Sequence, residues 1–171
     1  MSFDLTRRGA LAGMAAAPLV LGATPAFGAS AAQVPSPSLN SLAARKGRRF
    51  GSCIGGRRGG GIDNADYAAI VTCECGLIVP ENELKWQATR PGPETFDFTR
   101  MDAIVAWARA NKLAVRGHTL LWHRPKWFPK WLNDYDFGAN PAREAERLLT
   151  THIKTVTDRY RGVIHSYDVV N

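Results

Sequence analysis

Residues 97–123, DFTRMDAIVAWARANKLAVRGHTLLWH, place a helix and a strand in succession with almost no connection between them. Met101, Ile104, Val105 and Ala108 recur at i, i+3, i+4 and i+7, the apolar stripe of an amphipathic helix. Asp97 or Thr99 can cap its start. Past Lys112 the period changes at once, and Leu113–Leu121 reads as a strand. The arrangement repeats in residues 140–171. Asn140-Pro141 opens a long helix whose buried face carries Ala145, Leu148, Leu149, His152, Ile153, Val156 and Tyr160. Gly162 closes it, and Val163–Val170 follows as another strand. Upstream, Phe50–Ile54 reads as a first strand, Asn64–Cys75 as a helix ended by Gly76 in the left-handed conformation, and Leu77–Val79 as a second strand.

The connections are unequal. Helix-to-strand links are one or two residues (Gly76, Lys112, Gly162), whereas strand-to-helix links, Pro80–Phe96 and Trp122–Asn140, are long and rich in polar and aromatic residues. In a parallel α/β sheet or barrel the strand-to-helix loops all emerge at the carboxyl ends of the strands, where functional residues collect. Four β/α steps are half of the eight that close a barrel of about 250 residues.

The chain has 171 residues, 45% hydrophobic and 22% charged, with a formal net charge of +7. That composition is globular. The basic residues are scattered as pairs (Arg7-Arg8, Arg48-Arg49, Arg57-Arg58) rather than set along one helix face, so a polyanion-binding role is the weakest reading. Cys53, Cys73 and Cys75 are too few and too close for a disulfide framework or a four-ligand zinc site, and read as small buried thiols. Arg7-Arg8 precedes the apolar run Ala10–Gly22 and the small residues around Ala26–Ala29. Residues 1–28 are therefore expected to be an export signal, of the twin-arginine type, and residues 29–41 a flexible lead-in to a domain over 42–171. The expected location is periplasmic or secreted.

Three segments stand at the carboxyl ends of successive strands: Glu81-Asn82-Glu83-Leu84-Lys85-Trp86, Gly117-His118-Thr119-Leu120-Leu121-Trp122-His123 and Asp168-Val169-Val170-Asn171. In this order and spacing they resemble the endo-1,4-β-xylanases of glycoside hydrolase family 10, over about Leu39–Asn171. The resemblance implies an α/β fold, the (β/α)8 TIM barrel, of which this chain holds about the first four β/α units, and retaining hydrolysis of internal xylan bonds by two glutamates. It places the general acid/base Glu immediately after Asn171 and the nucleophile on a later strand, so a polypeptide of these 171 residues is expected to lack both and to be inactive alone. It also implies that Glu81, Asn82 and Lys85 contact sugars on the non-reducing side of the scissile bond, that His118 and Trp122 face the ring beside that bond, and that Asn171 holds its 2-hydroxyl. Glu83 and Glu94 read as solvated loop charges. The partner implied is xylan or a xylooligosaccharide, with no cofactor, no metal, no nucleic acid, no membrane after signal removal, and a monomeric complete enzyme.

The residue types suit that chemistry. A pyranose hydroxyl both donates and accepts, and a carboxylate, an amide and an ammonium can hold one ring in a single orientation. Trp86 and His123 read as core packing or as support for their neighbours. His118 and His123, on a strand and its loop, point to opposite sides and make no metal pair. Trp127 and Trp131 close two Pro-Lys-Trp repeats, and either can be a sugar platform. The loop Gly55–Gly61 lacks the Lys-Ser/Thr of a phosphate-binding loop and reads as a flexible connection. A non-catalytic xylan-binding fragment is the alternative function.

Overall fold

The computed structural model of the chain describes residues 36–56 and 61–171. The expected export signal, most of the lead-in and residues 57–60 of the glycine-rich loop lie outside them. Four strands, β1 (Gly51–Ile54), β2 (Leu77–Pro80), β3 (Ala114–Leu121) and β4 (Ile164–Val170), form one parallel sheet in chain order. Among the described residues the α-helices are α1 (Leu39–Ala44), α2 (Ala65–Glu74), α3 (Trp86–Thr89), α4 (Thr99–Ala110), α5 (Lys130–Asn133) and α6 (Pro141–Arg159). The long helices α2, α4 and α6 follow β1, β2 and β3, so the chain repeats the β/α step of the barrel fold.

Each long helix starts where a side chain can satisfy its free N–H groups. Asn64 Oδ1 accepts from the Tyr67 N–H and Asn140 Oδ1 from the Arg143 N–H, with Pro141 in the first turn, caps worth about 1 kcal/mol each. At α4 the Asp97 carboxylate accepts from the Thr99 N–H at 2.9 Å, although the backbone boundary falls at Phe98. The expected α4 stripe is buried, with Met101, Ile104 and Ala108 fully inaccessible, as are Ile54 and Ile78 of the sheet; of the face expected on α6, Leu148, His152, Val156 and Tyr160 are buried and Leu149 and Ile153 half-buried, but Ala145, in the first turns, is exposed. Each large apolar side chain there contributes about 1.5–3 kcal/mol. Across the helix layer, Asp102 of α4 accepts from Arg159 Nε at 3.1 Å and from the Tyr160 hydroxyl at 3.0 Å.

Three expectations change. Lys112 and Gly162 adopt positive φ (57° and 73°), but Gly76 does not. The chain leaves α2 through an extended Cys75, and Gly76 donates to the Phe50 carbonyl and accepts from the Ala114 N–H. A Cβ at Gly76 would lie 2.4 Å from the Asn40 amide, so close approach is what requires glycine there. Asn40 belongs to α1, whose start at Leu39 shortens the expected lead-in; its Oδ1 accepts from the Phe50 N–H at 3.1 Å. Finally, only Cys75 is buried, while Cys53 and Cys73 are exposed. Strand alternation turns Cys53 away from the face on which Ile54 is buried, and burial followed by the Glu74 charge pushes the Cys75 thiol up.

Candidate functional site

The β2 end supplies the densest cluster. The Glu81 N–H donates to the Ile54 carbonyl at 3.0 Å, which aligns the loop with the end of β1. Glu83 fastens the two loops together: its Oε1 accepts from the Gly56 N–H at 2.7 Å and its Oε2 from the Asn82 N–H at 2.9 Å. Glu83 is thus buried and structural rather than a solvated charge, a role invisible without the fold because its partners are backbone groups. Glu94 is exposed and meets Arg147 at 3.3 Å. Leu84 and Trp86 are buried on either side of Lys85, and they hold its backbone at the start of α3. Lys85 is only 8% exposed, and its ammonium donates to Asn82 Oδ1 at 2.9 Å and lies 4.5 Å from the Trp122 ring centroid. Glu81, Asn82 and Glu83 line an open cavity of about 320 Å3 together with Gly55, Gln87 and Arg100.

The β3 and β4 ends meet through Asp168, which sequence reasoning quoted in its motif but did not place in the site. Residues 118 and 168 are register partners. Asp168 Oδ2 is 2.9 Å from His118 Nδ1, and Oδ1 accepts from Arg116 Nε at 3.1 Å and from Arg116 Nη2. Burial acts to raise the Asp168 carboxyl, but hydrogen bonds from His118 and Arg116 outweigh it and hold the group below its ordinary range. The carboxylate orients the imidazole by accepting a hydrogen bond from Nδ1–H, and Nε2 is the ring nitrogen not engaged by Asp168. The Thr119 hydroxyl donates to the Asp168 carbonyl at 2.8 Å. The His118–Thr119 peptide is cis. Gly117 lets the strands pack this closely: a Cβ there would lie 2.3 Å from Tyr167 Cδ1 and 2.9 Å from Leu84 Cδ2. Leu84 in turn brings the β2 loop against β3.

Asn171 is held by its backbone, donating to the Leu121 carbonyl at 2.9 Å and accepting from His123 Nδ1 at 2.8 Å. His123 is exposed, so its place is support of Asn171 and not core packing. Trp86 is core, stacked on His152 at 4.6 Å and 14°. The tryptophans of the two Pro-Lys-Trp repeats separate cleanly. Trp131 donates its Nε1–H to the Arg90 carbonyl at 2.8 Å and packs into the apolar cluster of Trp86, Leu132 and Leu148. Trp127 stacks on Trp122 at 5.1 Å and 6° and is the one beside the site. An apolar cleft of about 350 Å3 between Trp86, Phe128, Leu132 and Leu148 adjoins this region; its apolar lining does not orient a sugar.

Residues 38–171 match the pattern of Glycosyl hydrolase family 10. The chain belongs to this family. Among curated relatives, endo-1,4-beta-xylanase 3 of Hypocrea jecorina is 34% identical over 136 residues, covering 80% of this chain and 37% of the relative. A beta-1,4-xylanase of Dictyoglomus thermophilum is 39% identical over 105 residues, 61% of this chain and 28% of the relative. This family 10 chain thus spans about a third of the length of the curated relatives it matches. Among solved structures, a mutant of xylanase 10C from Cellvibrio japonicus in complex with xylopentaose superposes with a TM-score of 0.71 at 28% identity, over 80% of this chain and 27% of that one. Xylanase 10B from Thermotoga petrophila in complex with xylobiose gives 0.66 at 28%, over 75% and 38%. The parallel sheet with its helices is the opening β/α series of the family 10 barrel.

Proposed function

We propose that this chain carries the glycone-binding part of an endo-1,4-β-xylanase, with xylan or a xylooligosaccharide as its ligand. The observation that carries the reading is that the β2 loop and the end of β3 meet through Lys85, which donates to Asn82 and lies over the Trp122 ring, while β3 and β4 of the same parallel sheet pair His118 with Asp168. Lys85 and Asn82 are mutually oriented by their own hydrogen bond, so a ring hydroxyl meets a fixed donor and acceptor. His118 and Asn171 stand where a neighbouring ring would continue.

Retaining hydrolysis needs two carboxyl groups about 5–5.5 Å apart, one to protonate and one to attack. Glu83 spends both oxygens on backbone N–H groups and Asp168 is held ionised by Arg116 and His118. Glu81 remains as a sugar acceptor. In this reading these residues position substrate, and the family resemblance assigns the acid/base and the nucleophile to other glutamates. The non-catalytic binding reading applies to these residues taken alone. We propose further that residues 1–28 direct export, on the Arg7-Arg8 pair and the apolar run behind it.

Calorimetric titration of the protein in its natural sequence context with xylotetraose and cellotetraose tests the reading. Binding of xylotetraose, weakened at least tenfold by Lys85→Ala or Asn82→Ala, is expected. No binding by the folded protein, or binding indifferent to both substitutions, overturns it.

A further inference from the structure

Basic residues that are dispersed along the sequence gather at one end of the fold. Strand register sets the starts of β1, β2, β3 and β4 side by side. The segments leading into β1, β3 and β4 (45–50, 109–113 and 159–165) therefore open together at the amino end of the sheet. Arg49 Nη1 lies 3.5 Å from His165 Nε2, which joins the first segment to the third, and Arg109 shares a cavity of about 210 Å3 with Arg159 and Tyr160, which joins the second to the third. These three segments carry eight Lys or Arg and no Asp or Glu, whereas the strand-to-helix links at the opposite end, 80–96 and 122–140, carry five of each sign. Excess positive charge thus collects at the amino end. All eight cations are exposed. Arg159 pairs with Asp102 and Arg161 with Asp158, but Arg45, Lys46, Arg48, Arg49, Arg109 and Lys112 form no ion pair among the described residues. The nearby carboxylate of Glu74 accepts from the Leu39 N–H at 2.7 Å. The turn after α1 is fixed, because the Lys46 and Arg48 N–H groups both donate to the Ala43 carbonyl, at 2.9 and 3.1 Å, around Gly47 at φ 65°. Its backbone is held while its side chains reach solvent.

Six cations set on three segments suit a long chain that carries charge at intervals; a single small anion would meet one or two of them. Most of the eight are arginines, whose planar fork takes the two oxygens of a carboxylate together. Resting on the xylan and export readings above, we propose that the amino end of the sheet is an anchoring surface for a carboxylated polysaccharide, a linear polyuronate lying beside the xylan. Export brings the protein among polysaccharides rather than nucleic acids, and the opposite end of the same strands takes a sugar polymer, which favours carboxylate over phosphate as the anion. The two polymers can be held at once. Eight-residue β3 separates the two ends by about 25 Å, so an anchored protein keeps the Glu81–Lys85 cluster open to substrate.

The test follows binding of fluorescein-labelled polygalacturonate by anisotropy, at 50 and 500 mM NaCl, on the protein in its natural sequence context. Binding is expected at low salt and should weaken about tenfold at high salt through screening. Four exposed ion pairs are together worth about tenfold in affinity. Arg45→Gln/Lys46→Gln/Arg48→Gln/Arg49→Gln should lose that factor, while xylotetraose affinity, read by calorimetry, stays within twofold of the parent. Arg109→Gln/Lys112→Gln should weaken polygalacturonate about threefold, and Arg124→Gln/Lys126→Gln, at the opposite end, should leave it unchanged. No polygalacturonate binding at low salt, binding that survives both amino-end variants, or an equal loss in Arg124→Gln/Lys126→Gln overturns the anchoring surface and leaves the xylan reading intact. Tighter binding of duplex DNA or of phosphatidylglycerol vesicles than of polygalacturonate overturns the polysaccharide as the partner. Failure to bind xylotetraose by protein that still binds polygalacturonate overturns the xylan reading, and with it the reason for choosing a polysaccharide.

Discussion

Protonation of His152 should govern how stability falls with pH between 7.5 and 5. The ring is fully inaccessible, stacks on Trp86 at 4.6 Å, and has neither nitrogen in a hydrogen bond. Burial first, and then the Arg90 charge, hold its pKa down at about 3. In the unfolded chain the same ring titrates near its ordinary value of about 6.5. The unfolded state therefore takes up a proton that the folded state refuses. Stability from this group is complete above about pH 6.5 and is lost as pH falls, at up to about 1.4 kcal/mol per unit, until the folded ring itself protonates near pH 3. By pH 5 the loss reaches about 2 kcal/mol. The carboxylates whose pKa values are lowered, Asp97, Asp102, Glu144, Asp158 and Asp168, titrate below this window. Urea unfolding of the protein in its natural sequence context, followed by tryptophan fluorescence at pH 7.5, 6 and 5, measures the effect. His152→Phe keeps the aromatic stack and removes the titration, so its unfolding free energy should lie nearly flat over the same range. A variant that loses the same 2 kcal/mol as the parent between pH 7.5 and 5 would refute the assignment.

Gly117→Ala should cost about 1–3 kcal/mol as overpacking, read as a lower urea midpoint, because its new methyl would meet the Tyr167 ring and Leu84; the accompanying shift of His118 should weaken xylooligosaccharide binding. In the catalytically complete protein, Asn171→Ala should lower kcat more than it raises KM, and Lys85→Ala should act mainly on KM; steady-state kinetics showing equal splits would refute their separate roles. A polypeptide of these 171 residues should release no reducing sugar from xylan, for want of the carboxylate pair. It should also elute as aggregate on size exclusion, because β1 and β4 are the sheet edges among the described residues and Val169 and Val170 are 57% and 62% exposed. Arg7→Lys with Arg8→Lys should retain a reporter fusion in the cytoplasm if the pair is read as a twin-arginine signal; undiminished export would point to an ordinary secretory signal.

The order of elements, the buried stripe of α4, most of that of α6 and the gathering of the strand-to-helix loops at one end of the sheet were legible in residues 50–171. They depend on local periodicity, on capping residues such as Asn64 and Asn140, and on the handedness that puts every strand-to-helix loop on one side. What depended on distance through space was not. Glu83 looked like a loop charge because its partners, the Gly56 and Asn82 N–H groups, carry no side-chain signal. Asp168 stands 50 residues from His118, and only the parallel register of β3 with β4 brings the pair together. Gly76 has the composition of a helix stop, but the close approach of Asn40 from α1 is what requires it. The two Pro-Lys-Trp repeats are equivalent as text; Trp131 turns inward to the Arg90 carbonyl and Trp127 outward against Trp122 because α5 begins between them. A linear pattern records which residues share a face of their own element, whereas which faces meet is decided by packing between elements far apart in the chain.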